Sequence, residues 1–200
     1  MTEPSNMEKI MLLKPDFMGF IFHSASPRCI IGKTDPQEIR RFASKVITTG
    51  VFVDAPKEVI LHTAKTYALR AIQLHGHETP DVCKELKKEG LMVIKTFGIE
   101  TELDLTHTEE FASCVDYFLF DTRSTQHGGT GKPFEWHLLK NKTFTKPWFL
   151  AGGIAAGNIR QAASTACYGL DLNSRFELKP GIKDVEKLTE AINQIRDKTL

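Results

Sequence analysis

The feature that most constrains the fold of this 200-residue chain is a regular alternation of short apolar segments with amphipathic segments. Apolar stretches such as 17–22, 71–75 and 117–120 are continuous, which is typical of strands buried on both faces. Segments with helical spacing of apolar residues follow them, and the unit recurs at intervals of about 25 residues. This pattern predicts a parallel sheet flanked by helices.

The pattern predicts seven strands and eight helices, with a helix first. The strands are 17–22, 50–54, 71–75, 91–98, 117–120, 148–153 and 169–174, and the helices are 3–14, 34–46, 57–67, 79–88, 101–113, a short one that starts at Phe134 and Trp136, 157–166 and 183–197. This is one strand short of a (β/α)8 TIM barrel, and the absent strand would precede Met1. A doubly wound open sheet is the alternative, although no GxGxxG pattern follows an early strand. We expect a single domain over residues 1–200.

Composition and charge favour a small-molecule protein of the cytoplasm. The chain is 41% hydrophobic with a formal net charge of +1, which gives no broad attraction to nucleic acid or acidic membranes. No apolar run approaches the roughly 18 residues of a membrane span, and the first residues lack the pattern of a signal peptide. The four cysteines have neither CxxC nor zinc spacing, so we expect free thiols and no metal.

Polar or special residues follow most of the predicted strands. The carboxyl ends of barrel strands share one face, so these side chains are expected to meet at one mouth. The residues concerned are His23, Arg28, Asp54, His75, Lys95, Asp121, Gly152, Gly153, Asp171, Asn173 and Ser174.

Asp121 is the strongest candidate among them. It ends an apolar strand and precedes a loop with three glycines, an arrangement that parallel α/β folds use in active sites. The alternative is a carboxylate that only caps a turn. The sequence 128–132, Gly-Gly-Thr-Gly-Lys, is not a nucleotide P-loop, because Gln126 replaces its first glycine and Pro133 its Ser/Thr.

The other candidates are expected to bind rather than react. Gly152 and Gly153 allow backbone N–H groups to approach a phosphate, with further donors at Asn173 and Ser174; plain tight-turn glycines are the alternative. Arg28 offers a planar donor for a carboxylate, or is a surface arginine. His75 could orient a substrate, or be a hydrogen-bonded structural histidine.

With these residues in view, nearly the whole chain resembles phosphoribosylanthranilate isomerase. The resemblance rests on GFIF, SPR (26–28), GVFV (50–53), QLHG (73–76), VIK (93–95), LFDT with GGTGKPFEW (119–136), FLAGGI (149–154) and DLNS with PGIKD (171–184). It implies a (β/α)8 barrel and an Amadori rearrangement that needs no cofactor or metal. It also implies Asp121 as general acid, Arg28 on the anthranilate carboxylate, His75 lining the pocket, and Gly152, Gly153, Asn173 and Ser174 on the ribose phosphate.

The departures from the family pattern concern the first strand. The family's general base is a cysteine in a Lys-Ile/Val-Cys-Gly motif there, and this chain aligns only after that motif. Cys29 follows Arg28, Cys83 and Cys167 are expected in helices, and Cys114 at the opposite end of the barrel, so none is an obvious substitute. Arg175 stands where many relatives have glycine in the phosphate loop.

These departures lead to three expectations. We expect the natural protein to begin upstream of Met1, and this chain to have a gap before the strand at Phe17, or a partner filling it. We expect an isomerase with impaired activity, acting as monomer or homodimer on a small molecule, without nucleic-acid or membrane partners. The alternatives are a barrel that binds a sugar phosphate without turnover, and indole-glycerol-phosphate synthase, which the SPR and GGTGK elements disfavour.

Overall fold

The computed structural model describes residues 1–99, 102–122, 136–139 and 142–196. Seven parallel strands form one curled sheet in sequential order from β1 to β7. They are β1 Phe17–Ile21, β2 Ile47–Phe52, β3 Ala71–Leu74, β4 Met92–Ile99, β5 Tyr117–Thr122, β6 Trp148–Ala151 and β7 Gly169–Leu170. A small antiparallel hairpin, β8 Glu177–Lys179 and β9 Ile182–Lys183, follows the last of them.

Helices cover the outside of the sheet. The α-helices in the described ranges are α1 Pro4–Met11, α2 Pro36–Arg40, α3 Lys57–Tyr67, α4 Pro80–Lys88, α5 Thr108–Phe111, α6 Ile159–Ala163 and α7 Val185–Arg196. Short 3-10 helices occupy Glu102–His107, Trp136–Leu139 and Ser174–Phe176. The α/β class and the barrel-like curvature predicted from the sequence are therefore confirmed.

Two apolar clusters hold this architecture together, one on each face of the sheet. The larger lies between strands and helices and includes Met18, Phe20 and Phe118, all nearly or fully buried. The smaller lines the interior of the curled sheet, where Ile94, Leu119 and Phe149 pack together. Burial on both faces explains why the strands read as continuous apolar runs.

Local chemistry fixes several helix boundaries. Pro36 begins α2, and the Asp35 side chain caps it by accepting a hydrogen bond from the Gln37 N–H at 2.8 Å. The same helix ends at Arg40, whereas the sequence predicted one through Val46, because residues 41–45 form turns.

The boundaries of other elements also differ from prediction. Strand β2 begins at Ile47 rather than Gly50, and β7 contains two residues rather than six. After β7 the chain leaves the sheet, because Ser174–Phe176 forms a 3-10 helix that precedes the hairpin β8–β9. This hairpin was not predicted from the sequence. The glycine loop with Gly128, Gly129 and Gly131 lies outside the described residues.

The sheet is open between its first and last strands. β1 and β7 are the ends of the strand order, and in the described ranges the outer side of β1 is paired through an isolated parallel bridge from Ile21 to Cys29, with no further strand beside it. The gap predicted before Phe17 is present in this structure.

Candidate active site

Asp121 and His75 meet at the carboxyl-terminal mouth of the sheet. The His75 Nε2 atom lies 3.4 Å from the Asp121 Oδ2 atom, and the two side chains are 27% and 26% exposed. The other ring nitrogen, Nδ1, lies 3.5 Å from Gln73 Nε2, and Gln73 in turn donates to the Thr96 hydroxyl. This chain of contacts orients the imidazole toward a carboxylate that remains accessible to a ligand.

Asp171 lies at the same level of the barrel as Asp121. Asp121 pairs with Ala151 on β6, and Leu150 pairs with Leu170, so Asp171 is beside Ala151. Alternate strands contribute side chains to the same interior layer, so both carboxylates face the mouth. Burial raises the pKa of Asp171, Lys183 opposes this, and the negative charge of Asp121 raises it further.

Arg28 is held by a partner that the sequence did not indicate. Its Nε donates to Glu177 Oε2 at 2.8 Å, and its Nη2 lies 2.7 Å from the same oxygen. Lys183 lies 3.5 Å from the other Glu177 oxygen. Burial raises the pKa of Glu177, but Arg28 and Lys183 outweigh this and hold it below its usual range. The ion pair fixes the guanidinium at the rim of the mouth.

The glycine pair after β6 adopts a left-handed backbone conformation. Gly152 and Gly153 adopt φ values of +78° and +66°, a region that favours glycine. Asn158 clamps the loop by donating to the Gly153 carbonyl at 2.9 Å and accepting from the Ala155 N–H at 2.7 Å. No atom lies within 4 Å of a Cβ placed on Gly153, so there is open space beside this glycine.

Asn173 and Ser174 lie after β7. Lys183 Nζ donates to the Asn173 carbonyl at 3.2 Å and to its Oδ1 at 2.9 Å, and Ser174 begins the following 3-10 helix. Lys183 therefore links this loop to the Arg28–Glu177 pair and contributes positive charge nearby. Arg175 is exposed, and the next residue, Phe176, anchors the loop in the core.

Lys95 and Asp54, two other polar strand-end residues, support the loop between β3 and α4. Lys95 Nζ donates to the Gly76 carbonyl at 2.7 Å and to Glu78 Oε2 at 2.9 Å, and its side chain is 5% exposed. Asp54 Oδ1 accepts from the His77 N–H. A Cβ on Gly76 would lie 2.3 Å from that same Asp54 oxygen, so glycine is required here. This network holds His75 in place.

The cysteines lie away from the Asp121–His75 pair. Cys83 is in α4, and Cys114 lies between α5 and β5 at the opposite end of the sheet, as predicted. Cys167 was expected in a helix but lies between α6 and β7. Burial raises the pKa of Cys83 to about 12, and burial also raises the pKa of Cys114 and of Cys167. Cys29 is buried behind the end of β1, next to Tyr67.

Sequence reasoning missed Glu177 and Lys183 as parts of this site. The two partners Arg28 and Glu177 are 149 residues apart, and no local pattern marks such a pair. The sequence predicted Lys183 as the first residue of the last helix, whereas it is the last residue of β9. In the described ranges, no group of three His, Cys, Asp or Glu side chains could hold a metal ion, and no helix could span a membrane.

Comparison with known proteins identifies a consistent set of relatives. The family model described as N-(5'-phosphoribosyl)anthranilate (PRA) isomerase matches residues 1–194. The chain is 41% identical to the N-(5'-phosphoribosyl)anthranilate isomerase of Parabacteroides distasonis over 201 residues, covering 98% of this chain and 90% of the relative. It is 39% identical to that of Phocaeicola vulgatus over 203 residues, covering 99% and 96%.

Solved structures give the same result. Phosphoribosyl anthranilate isomerase of Thermotoga maritima superimposes with a TM-score of 0.86 at 29% identity, covering 98% of this chain and 96% of that one. A second isomerase structure, in complex with reduced 1-(o-carboxyphenylamino)-1-deoxyribulose 5-phosphate, superimposes with a TM-score of 0.83 at 26% identity, covering 98% and 95%.

Proposed function

Because the chain belongs to the PRA isomerase family, we propose that it acts on N-(5-phosphoribosyl)anthranilate in tryptophan biosynthesis, and that this 200-residue chain does so with impaired activity. The reaction is an Amadori rearrangement to 1-(o-carboxyphenylamino)-1-deoxyribulose 5-phosphate. The observation that carries the proposal is the Asp121–His75 pair at 3.4 Å, at the mouth of a sheet with the family's architecture.

Asp121 is placed to act as the general acid. In the proposed first step it protonates the ribose ring oxygen, and the ring opens as nitrogen lone-pair electrons form the C1=N bond of a protonated Schiff base. His75, held through Gln73, orients the Asp121 carboxyl. The partly exposed position of Asp121 leaves room for the substrate beside it.

Arg28 and the two loops bind the ends of the substrate in this proposal. A guanidinium has five N–H donors, and Glu177 engages those at Nε and Nη2, which leaves Nη1 for the anthranilate carboxylate. The ribose phosphate sits at Gly152, Gly153, Asn173 and Ser174, with Lys183 supplying nearby charge. Neither the binding nor the acid step requires a cofactor.

The second step needs a general base that removes the proton from C2, giving an enolamine that tautomerises to the aminoketose. In the family pattern this base is the cysteine of the first strand, and the cysteines of this chain lie elsewhere. Asp171 faces the mouth, but it is a carboxyl group that follows the last strand of the sheet, whereas the family's base is a thiol on the first strand. We therefore infer that binding and acid catalysis are intact while proton abstraction is slow.

Turnover assays test this proposal. Loss of PRA fluorescence, with substrate made in situ, is measured for this chain and for one extended at its N-terminus by a strand ending in Lys-Val-Cys-Gly. We expect the extended chain to be faster by about 10²–10⁴-fold, the usual contribution of a general base. Equal rates would contradict the impairment. Binding of the reduced product analogue without turnover in either chain would favour the alternative, a non-catalytic barrel that binds a sugar phosphate.

The remaining cellular properties are proposed with the function. A substrate of this kind is a soluble metabolite, so we propose a cytoplasmic enzyme without nucleic-acid partners. A related isomerase from Thermotoga maritima is described as dimeric, which keeps both a monomer and a homodimer as proposals for this chain.

A further inference from the structure

Lys183, the last residue of β9, has its ammonium group surrounded by acceptors of the loop that follows β7. The Nζ atom donates to the Leu172 carbonyl at 3.1 Å, to the Asn173 carbonyl at 3.2 Å and to Asn173 Oδ1 at 2.9 Å. An ammonium group has three N–H donors, so these three acceptors use all of them. The Lys183 side chain is 11% exposed. Lys183 therefore has no donor left for a ligand, although its charge is close by.

The position of this ammonium group is fixed at both ends of the lysine. At the main chain, Asn6 of α1 accepts from the Lys183 N–H at 2.8 Å and donates to the Lys183 carbonyl at 2.9 Å. At the side chain, Glu177 Oε1 lies 3.5 Å from Nζ, and the same oxygen accepts from the Gly181 N–H at 3.2 Å. Asn6 and the Glu177 side chain are both almost fully buried. Lys183 is therefore held independently of Asn173 and can impose an orientation on it.

The contact with Lys183 determines which end of the Asn173 amide is available to a ligand. A lysine ammonium can only donate hydrogen bonds, so the end of the amide that faces it has to be the oxygen. The NH2 group then lies at the opposite end of the amide. Asn173 is exposed, and among the described residues its Nδ2 atom has no hydrogen-bond acceptor. Two N–H donors are thus available on the open side of this loop.

We propose that Lys183 is a positioning residue, which holds Asn173 with its amide NH2 group toward the phosphate of the substrate. The inference rests on the proposed function, which places the ribose phosphate at Gly152, Gly153, Asn173 and Ser174. The oxygens of a phosphate are strong acceptors, so an asparagine that turned its own oxygen toward them would repel the ligand. Lys183 prevents that orientation, because it takes the oxygen end of the amide for itself.

The alternative is that Lys183 acts on the phosphate only through its positive charge. The two roles predict different relations between Lys183 and Asn173. A charge acts on the ligand whether or not Asn173 is present, so the effects of replacing the two residues would add. A positioning residue acts through Asn173, so its replacement has no further effect once the Asn173 amide is absent.

The test is a double-mutant cycle on the full chain with Lys183→Met, Asn173→Ala and the two combined. The probes are the reduced product analogue and the same molecule without its phosphate. Calorimetric titration gives a Kd for each probe, and the ratio of the two Kd values isolates the contribution of the phosphate. The matched control is Lys179→Met, which removes one exposed positive charge from the same hairpin. Thermal unfolding of each variant shows that it is folded.

We expect Lys183→Met to weaken binding of the phosphorylated probe by about 10- to 100-fold, the usual value of a hydrogen bond to a charged group. Binding of the probe without phosphate should change less than about twofold, because Arg28 and Glu177 at the other end of the substrate remain paired. In the Asn173→Ala background, Lys183→Met should change the Kd ratio by less than about twofold. Lys179→Met should leave both affinities unchanged.

Asn173→Asp provides a second variant that does not depend on the folding of Lys183→Met. The carboxylate keeps an oxygen against Lys183 but has no N–H to offer a phosphate. We expect a thermal midpoint at least equal to that of the unaltered chain, and binding of the phosphorylated probe weakened by at least about tenfold. Undiminished binding of that probe by Asn173→Asp would overturn the proposal.

Additive effects of Lys183→Met and Asn173→Ala would also overturn it, as would equal losses for Lys183→Met and Lys179→Met. These outcomes leave the proposed function standing, because the unaltered chain still prefers the phosphorylated probe. If the unaltered chain binds the two probes equally well, the proposed phosphate site itself is contradicted, and this inference with it. The two failures are therefore distinguished by the unaltered chain alone.

Discussion

Two carboxylates in the mouth have different surroundings and are expected to have different roles. Asp121 lies 3.4 Å from His75 and is partly exposed, which suits contact with a substrate. Asp171 directly follows β7, at the same level of the barrel as Asp121. Burial raises the pKa of Asp171, and the Lys183 ammonium opposes that shift. Perturbed carboxyl groups of this kind often mark functional sites, where stability is lost in favour of binding or chemistry.

Replacement of Asp171 by asparagine is predicted to stabilise the protein at neutral pH. The folded-state pKa is raised, so the contribution of Asp171 to stability is full below its unfolded pKa and is lost as pH rises through the folded value. Asp171→Asn should therefore gain roughly 0.5–2 kcal/mol at pH 7 and almost nothing at pH 3. Urea unfolding of both proteins at the two pH values measures the difference, and a loss of stability at pH 7 would show that the ionised carboxylate is favourable in the fold.

At the scale of elements, the loop between β3 and α4 directly follows His75 and is held by a network of hydrogen bonds. Gly76 contacts Asp54, whose carboxylate accepts from the His77 N–H, and Glu78 accepts from the N–H groups of Asp54 and Gly76. Lys95 neutralises Glu78 beneath them. The loop thus has little freedom to accept a larger residue at its tightest point.

Gly76→Ala is predicted to destabilise the fold by about 1–3 kcal/mol, because the new methyl group would overlap Asp54 side-chain and main-chain atoms. The matched control is Gly157→Ala, since a Cβ there meets no atom within 4 Å. Thermal unfolding of the two variants measures the contrast. Equal effects would mean that the loop relaxes freely and does not hold His75.

The elements that sequence predicted best are those with local boundary signals. Helix α3 begins at Lys57 and ends at Tyr67 as predicted, and Pro80 begins α4. The hairpin β8–β9 could not be predicted, because its position depends on Arg28 and Asn6, which are distant in sequence. For the site, strand-end position predicted that Asp121 and His75 lie at the same mouth, but not that they are neighbours, and the Glu177 partner of Arg28 arises only from the tertiary fold.

At the scale of the whole molecule, the sheet is open between its first and last strands, and the helices α1 and α7 lie near that opening. Asn6 of α1 bonds to Lys183 of β9, and Arg196 of α7 bonds to the chain just after α1. In the described ranges the sheet has seven strands, with β1 and β7 at its ends. The substrate mouth is formed by the carboxyl ends of strands that are present, so ligand binding is expected without an eighth strand. In the proposed function, proton abstraction is expected to depend on that strand.

The central claim is that Asp121 is the general acid of a PRA isomerase site. The direct measurement is turnover by the chain extended with a strand ending in Lys-Val-Cys-Gly, compared with its Asp121→Asn variant. Asp81→Asn, at an 86% exposed side chain on α4, is the matched control. We predict a loss of about 10²–10⁴-fold for Asp121→Asn, near-normal turnover for the control, and unchanged binding of the reduced product analogue by both. Turnover by Asp121→Asn equal to that of the control would contradict the account.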